Sequence, residues 1–162
     1  PRNIAISLPF PTRVVAWEFT LAGASGTNVS FEESDLTEAK ILGANFPNCR
    51  FVRAHAPESI WTNTNLKRAN FTLAHLRKAD FGSADLTRAI LTGADLAFGN
   101  LPTANLSDAR ANLTNFFQAS LTGATLAQTD FSGANLYQAD FYEAVTDRAI
   151  FQDANLKMTS LA

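Results

Sequence analysis

The chain has a single cysteine, Cys49, so an intramolecular disulfide framework and a multi-cysteine zinc site are both excluded. It lacks a surplus of either charge: 13 Lys and Arg against 15 Asp and Glu give a net charge of -2. That balance argues against a general nucleic-acid binder, which needs a basic excess to displace counterions, and against a strongly acidic surface that imitates DNA. No stretch approaches the roughly 20 apolar residues that span a bilayer, and no signal peptide is visible. There is no Gly-rich phosphate loop, no nucleophile elbow and no metal-ligand pair at helical spacing. The serines and threonines are dispersed rather than gathered around a base. The reading is of a protein that is not an enzyme and takes no cofactor. The compartment stays open: cytoplasmic by default, secreted or lumenal if a targeting segment was removed. The chain begins at Pro1 without Met, as a processed or partial chain would.

What the chain does have is a period of five. From Phe31 to Leu161 every fifth residue is large and apolar, except Ala56, Ala111 and Thr146 among 27 positions. The frame includes Phe31, Phe51, Trp61, Phe71, Phe81, Phe116, Phe131, Phe141 and Phe151, which are the expected core. A second frame, two residues earlier, is small throughout: mostly Ala, with Ser, Thr, Gly99, Cys49 and Val29. Cys49 in that frame reads as a small buried hydrophobe, not a nucleophile. A period of five fits neither a helix at 3.6 nor a plain strand at 2. In extended backbone, positions two apart face the same way, so the small and large frames both point inward. The other three positions turn the chain and face water. Asp and Asn recur just before the large residue, where short side chains bond the backbone of a turn.

The runs ANFTLAHL, ADFGSADLTRAILTGADLAFGNL, ANLSDARANL, ATLAQTDFSGANLYQADF and DANL resemble the A(D/N)LXX motif of the pentapeptide-repeat family over about five-sixths of the chain. The resemblance implies an all-β, right-handed quadrilateral parallel β-helix, with four pentapeptides per coil and nearly seven coils. Residues 20 apart then stack at ~4.8 Å, giving a rod about 30 Å long with an interior too full for a ligand pocket. Residues 1–27 lack the repeat and are assigned as an N-terminal cap, with 28–162 as the β-helix. Within the cap, Ile4, Ile6 and Leu8 suggest a short strand, broken by Pro9 and Pro11. The repeat runs to Leu161, so an uncapped C-terminal coil is a surface for a homodimer. Ala111 falls between Leu91 and Phe131 in one interior column, so a neighbour must lean in or a void remains. Residues 55–60, with Ala56 and Pro57, break the motif and are read as a local bulge or as Pro placed where no ladder donor is needed.

Stacking at 20 turns the linear sequence into columns. One surface column reads Asp35, His55, His75, Asp95, Asn115, Asn135 and Asn155. Two imidazoles between carboxylates could hold a divalent metal such as zinc; a solvated polar ladder is the favoured reading. Outward apolar residues gather elsewhere: Phe117 stacks with Tyr137, Phe98 and Met158 lie beside them, and Tyr142 lies around the next corner. These five are the protein-interaction candidates. Lys67, Arg68 and Arg88, with Arg77 and Lys78 around a corner, form a basic cluster read as an ordinary solvated face because Asp80, Asp85 and Asp95 are near.

Three functions follow. The first is a non-catalytic, bacterial protein-interaction scaffold with an unidentified protein partner, no direct nucleic-acid binding and no membrane span. The second comes from the resemblance: some family members imitate DNA, bind gyrase as dimers and confer quinolone resistance. This chain departs from that pattern in being nearly neutral, in lacking a long loop between coils and in its N-terminal cap. The third is a targeting or interaction module of a larger bacterial protein, such as a secreted effector.

Overall fold

The computed structural model describes residues 20–161. The backbone is a parallel solenoid in which residue n pairs with residue n + 20, from Thr20↔Lys40 to Asn135↔Asn155. Four ladders run along the rod, one per side, starting at Thr20, Ser25, Ser30 and Asp35. Rungs are made by alternating bonds: Phe31 N–H donates to Arg50 O at 2.7 Å, and Arg50 N–H donates to Val29 O at 2.9 Å. The four sides of each 20-residue coil follow from the repeat. Each pentapeptide supplies one short extended side and one two-residue turn closed by a bond such as Ser34 N–H to Phe31 O, 3.2 Å.

The turns set the chemistry of the corners. The second turn residue has positive φ at every corner, between 53° and 67°. Gly, Asn and Asp suit that left-handed conformation and large side chains do not. Glycine stands there at Gly23, Gly43, Gly93, Gly123 and Gly133. Leu73, Phe98, Leu113 and Met158 also stand there, against that preference.

Both inward frames are buried. Phe31, Phe51 and Phe71 form a stack with centroids 5.0 and 4.7 Å apart, and Trp61 stacks on Phe81 at 5.6 Å. Phe81, Phe116, Phe131 and Phe141 are buried as expected. Phe151 is only partly buried, packed 5.3 Å from Phe131, because no coil lies beyond it to cover its far face among the described residues. The neighbour of Ala111 does lean in: Phe116, in the same coil, meets Phe131 of the next coil edge to face at 5.6 Å. Ala56 makes the same room for Trp61, whose indole meets both Phe51 and Phe71 edge to face, at 5.0 and 5.5 Å. Small-frame hydroxyls are buried and bonded: Thr64, Thr114 and Thr129 donate to Ile41 O, Leu91 O and Leu106 O.

One sequence expectation changes. The ladder already includes Thr20 and Ser25, so residues 20–27 belong to the solenoid and not to a separate cap. Residues 1–19, with the expected strand at Ile4–Leu8, lie outside the described residues. Of the two readings of residues 55–60, a bulge or a proline placed where no ladder donor is needed, the second holds: the pairing runs through His55↔His75 and Ile60↔Asp80, with Pro57 O accepting Glu38 N–H at 2.9 Å.

Candidate protein-interaction edge

One side of the solenoid collects the candidate residues. Its central ladder is Asp35, His55, His75, Asp95, Asn115, Asn135 and Asn155. From Asp95 onward the side chains form their own ladder. Asn115 Nδ2 donates to Asp95 Oδ1 at 2.9 Å, Asn135 to Asn115 at 3.0 Å, and Asn155 to Asn135 at 3.2 Å. The same three oxygens, and Asn155 Oδ1, accept the backbone N–H two residues on: Ala97, Phe117, Tyr137 and Lys157 at 3.2 to 3.4 Å. These Asx turns fix the direction in which Phe117 and Tyr137 leave the rod. At His55 the device is absent, and the residue two on is Pro57, which has no N–H to donate.

The corner following this ladder carries a continuous apolar ridge. Arg77 Cζ lies 5.1 Å from the Phe98 ring centroid. Phe98 meets Phe117 edge to face at 5.4 Å, and Phe117 stacks on Tyr137 at 5.7 Å with 5° between the planes. Tyr137 Oη then donates to Met158 Sδ at 3.1 Å. Ala97, beside this ridge, is 1 % exposed, although its frame position faces outward. Phe98 and Met158 are exposed at 40 % and 69 %. Tyr142 is also exposed but stands at the next corner, tied by its N–H to Asp140 Oδ1 at 3.0 Å, and no ring contact joins it to the ridge among the described residues.

The corner preceding the ladder holds two leucines that the sequence reading missed. Leu73 and Leu113 are 51 % and 66 % exposed, each lying over a glycine one coil up. A Cβ added at Gly93 would come within 2.9 Å of Leu73 Cδ2, and one at Gly133 within 2.8 Å of Leu113 Cδ2. The signal was in the frame: a leucine at a turn position, with glycine 20 residues later, twice.

The histidine column forms as the register predicted, but its carboxylates are committed elsewhere. The His55 and His75 rings are 5.8 Å apart and tilted by 57°. Asp35 Oδ1 accepts from Thr37 N and Oγ1 at 3.1 and 2.6 Å, and Asp95 Oδ2 faces Arg77 at 3.5 Å. Among the described residues no group of three or more His, Cys, Asp or Glu is gathered as a metal site. The basic cluster is largely neutralised: Lys67 pairs with Asp85 at 3.1 Å, Lys78 with Glu58 at 2.8 Å and Arg88 with Asp108 at 3.5 Å. Burial disfavours ionised Asp85, but hydrogen bonds from Thr87 and Lys67 outweigh it and hold the carboxyl below its ordinary range. Burial pushes the Cys49 thiol up to about 11.

A four-sided parallel β-helix whose described interior is filled by side chains, with an aromatic ridge on one corner, defines the class: a repeat solenoid. The pentapeptide repeat model matches in 8 copies over residues 20–53, 62–93, 69–108, 89–126, 110–145 and 130–162. The chain belongs to the pentapeptide repeat family and is a right-handed β-helix solenoid. It is similar to three solved pentapeptide repeat structures. HetL, involved in heterocyst differentiation regulation in the cyanobacterium Nostoc sp. strain PCC 7120, is 23 % identical over 88 % of this chain and 89 % of that one, TM-score 0.27. A thylakoid-lumen protein of Arabidopsis thaliana is 27 % identical over 77 % and 66 %, TM-score 0.39. The plasmid-mediated fluoroquinolone resistance protein QnrB1 is 20 % identical over 88 % and 79 %, TM-score 0.40. No curated protein sequence matches the chain. The family assignment rests on the repeat match and not on these superpositions.

Proposed function

We propose that the protein is a non-catalytic protein-interaction scaffold whose recognition surface is the Phe98–Phe117–Tyr137–Met158 ridge. One observation carries this reading. Phe98 and Met158 are exposed apolar side chains held in left-handed turn positions, where Gly or Asn would be more stable and more soluble. Neither solvent nor the backbone favours them, and a partner would. The rod presents them rigidly, so little side-chain entropy is lost on binding, and aromatics with Met are the residues enriched at interface centres. The topoisomerase-binding alternative requires a strip of one negative sign. Here the carboxylates of Asp85, Asp95 and Asp108 are matched by Lys67, Arg77 and Arg88. The test is affinity capture with the wild-type chain and with the Phe117→Ala/Tyr137→Ala double variant. Proteins captured by the wild type are lost by the variant at unchanged melting temperature. An identical captured set from both would reject the ridge as the recognition surface.

A further inference from the structure

We propose that His55 and His75 form a two-histidine site for one divalent transition-metal ion, of the class that favours imidazole: Cu2+ before Ni2+ and Zn2+. The site uses no residue of the ridge.

Every other rung of the column has a structural duty. Asp35, Asp95, Asn115, Asn135 and Asn155 each accept the backbone N–H two residues on. His55 and His75 do not. Pro57 has no N–H to offer His55, and among the described residues neither imidazole takes a hydrogen bond or an ion pair. Both histidines are exposed. The carboxylates above and below them are committed, and the ring nitrogens between are left to ligate.

The spacing fits a single ion. The register puts the two residues on adjacent rungs of one side, and their ring centroids are 5.8 Å apart. A tetrahedral ion bonded to one nitrogen of each ring, at the usual ~2.05 Å, sets the centroids about 5.2 Å apart. Small side-chain rotations of two exposed rings close that difference. The cations on the flanking corners are already paired, Arg53 with Glu33, Arg77 with Asp95 and Lys78 with Glu58, so they do not repel an ion as free charges would. Beside His75 a groove of about 310 Å³, lined by Leu73, Gly93 and Asp95 among others, leaves room for the waters that complete the ion's shell. The rigid ladder makes the pair a chelate. Once one imidazole holds the ion, the other stands beside it at an effective concentration in the millimolar range or above.

Isothermal titration calorimetry of the untagged full chain with CuCl2 and ZnCl2 tests this, with MgCl2 as the oxygen-seeking control. His55 and His75 are the only histidines in the sequence. His55→Asn and His75→Asn therefore each remove half of the site, and the double variant removes all of it. Asn already stands in this column at 115, 135 and 155, so the variants are expected to fold, which their melting temperatures check. The wild type binds one Cu2+ per chain, more tightly than Zn2+ and without taking Mg2+. Each single variant binds Cu2+ roughly 100-fold more weakly. Equal Cu2+ affinity in the wild type and the double variant overturns the proposal. So does a wild type that binds two ions while each single variant keeps one at undiminished affinity, the pattern of two independent rings. A wild type that takes up no Cu2+ at concentrations up to about 1 mM also overturns it. None of these outcomes bears on the capture experiment with Phe117 and Tyr137.

Discussion

The Trp61 indole donates to Ser59 Oγ at 2.6 Å, and Ser59 Oγ donates in turn to Ala56 O at 2.6 Å. All three residues are fully buried, so one hydroxyl satisfies the only polar group of the largest core side chain. Ser59→Ala strands the indole N–H in the interior, at a cost of about 1–3 kcal/mol. Urea unfolding should show a lower midpoint with an unchanged slope. Ala56→Leu fills the space that Trp61 occupies and should cost about 1–3 kcal/mol by overpacking.

Phe116 is large where its coil neighbour Ala111 is small, and it reaches Phe131 in the next coil. Phe116→Ala would leave two adjacent alanines at core positions and a cavity between coils. A loss of about 3–5 kcal/mol is expected. The double variant Ala111→Phe/Phe116→Ala should recover part of it, which a double-mutant cycle measures directly.

Cys49 is buried and its thiol pKa is raised from 9.0 to about 11 by desolvation. The unfolded thiol ionises near 9 while the folded one holds its proton, so the unfolded state is favoured as pH rises. The stability present below pH 9 therefore falls by about 2 kcal/mol between pH 9 and 11. Cys49→Ala should remove this component of the slope. A thiol reagent should modify Cys49 only as fast as the chain unfolds.

Leu113 combines 66 % exposure with a φ of 59°. Asn tolerates this conformation better and keeps the surface polar, so Leu113→Asn should stabilise the monomer by about 0.5–1 kcal/mol. Gly133→Ala should do the reverse by about 1 kcal/mol, since its Cβ would press on Leu113 Cδ2 at a φ of 66°. Differential scanning calorimetry of both variants checks the signs.

Most of the architecture was legible because a five-residue frame and a 20-residue register are one-dimensional facts. They place Asp35, His55, His75 and Asp95 in a column and Phe117 against Tyr137 without coordinates. That residues 20–27 belong to the solenoid was not legible. Gly26 stands where the frame calls for a large residue, so the stretch from Thr20 to Thr27 looks like non-repeat sequence. Contacts that cross columns were also hidden. Arg77 over Phe98, Phe98 against Phe117 and the burial of Ala97 depend on rotamers, which the repeat does not encode. The commitment of Asp35 to Thr37 and of Asp95 to Arg77 and Asn115 is of the same kind.

The unbroken pairing of n with n + 20 makes angular position around the rod a matter of arithmetic. A residue's number modulo 20 names its side or corner, and multiples of 20 only raise it along the axis. Losing or gaining one pentapeptide would keep the core frame intact and turn everything downstream by a quarter. Such a change after Asn105 would leave Phe98 in place and carry Phe117, Tyr137 and Met158 to another corner, splitting the ridge in a chain that still folds. Lengthening by whole coils would preserve every column. Descendants of this chain that keep its recognition surface should therefore differ in length by twenties, and those free of that constraint by fives.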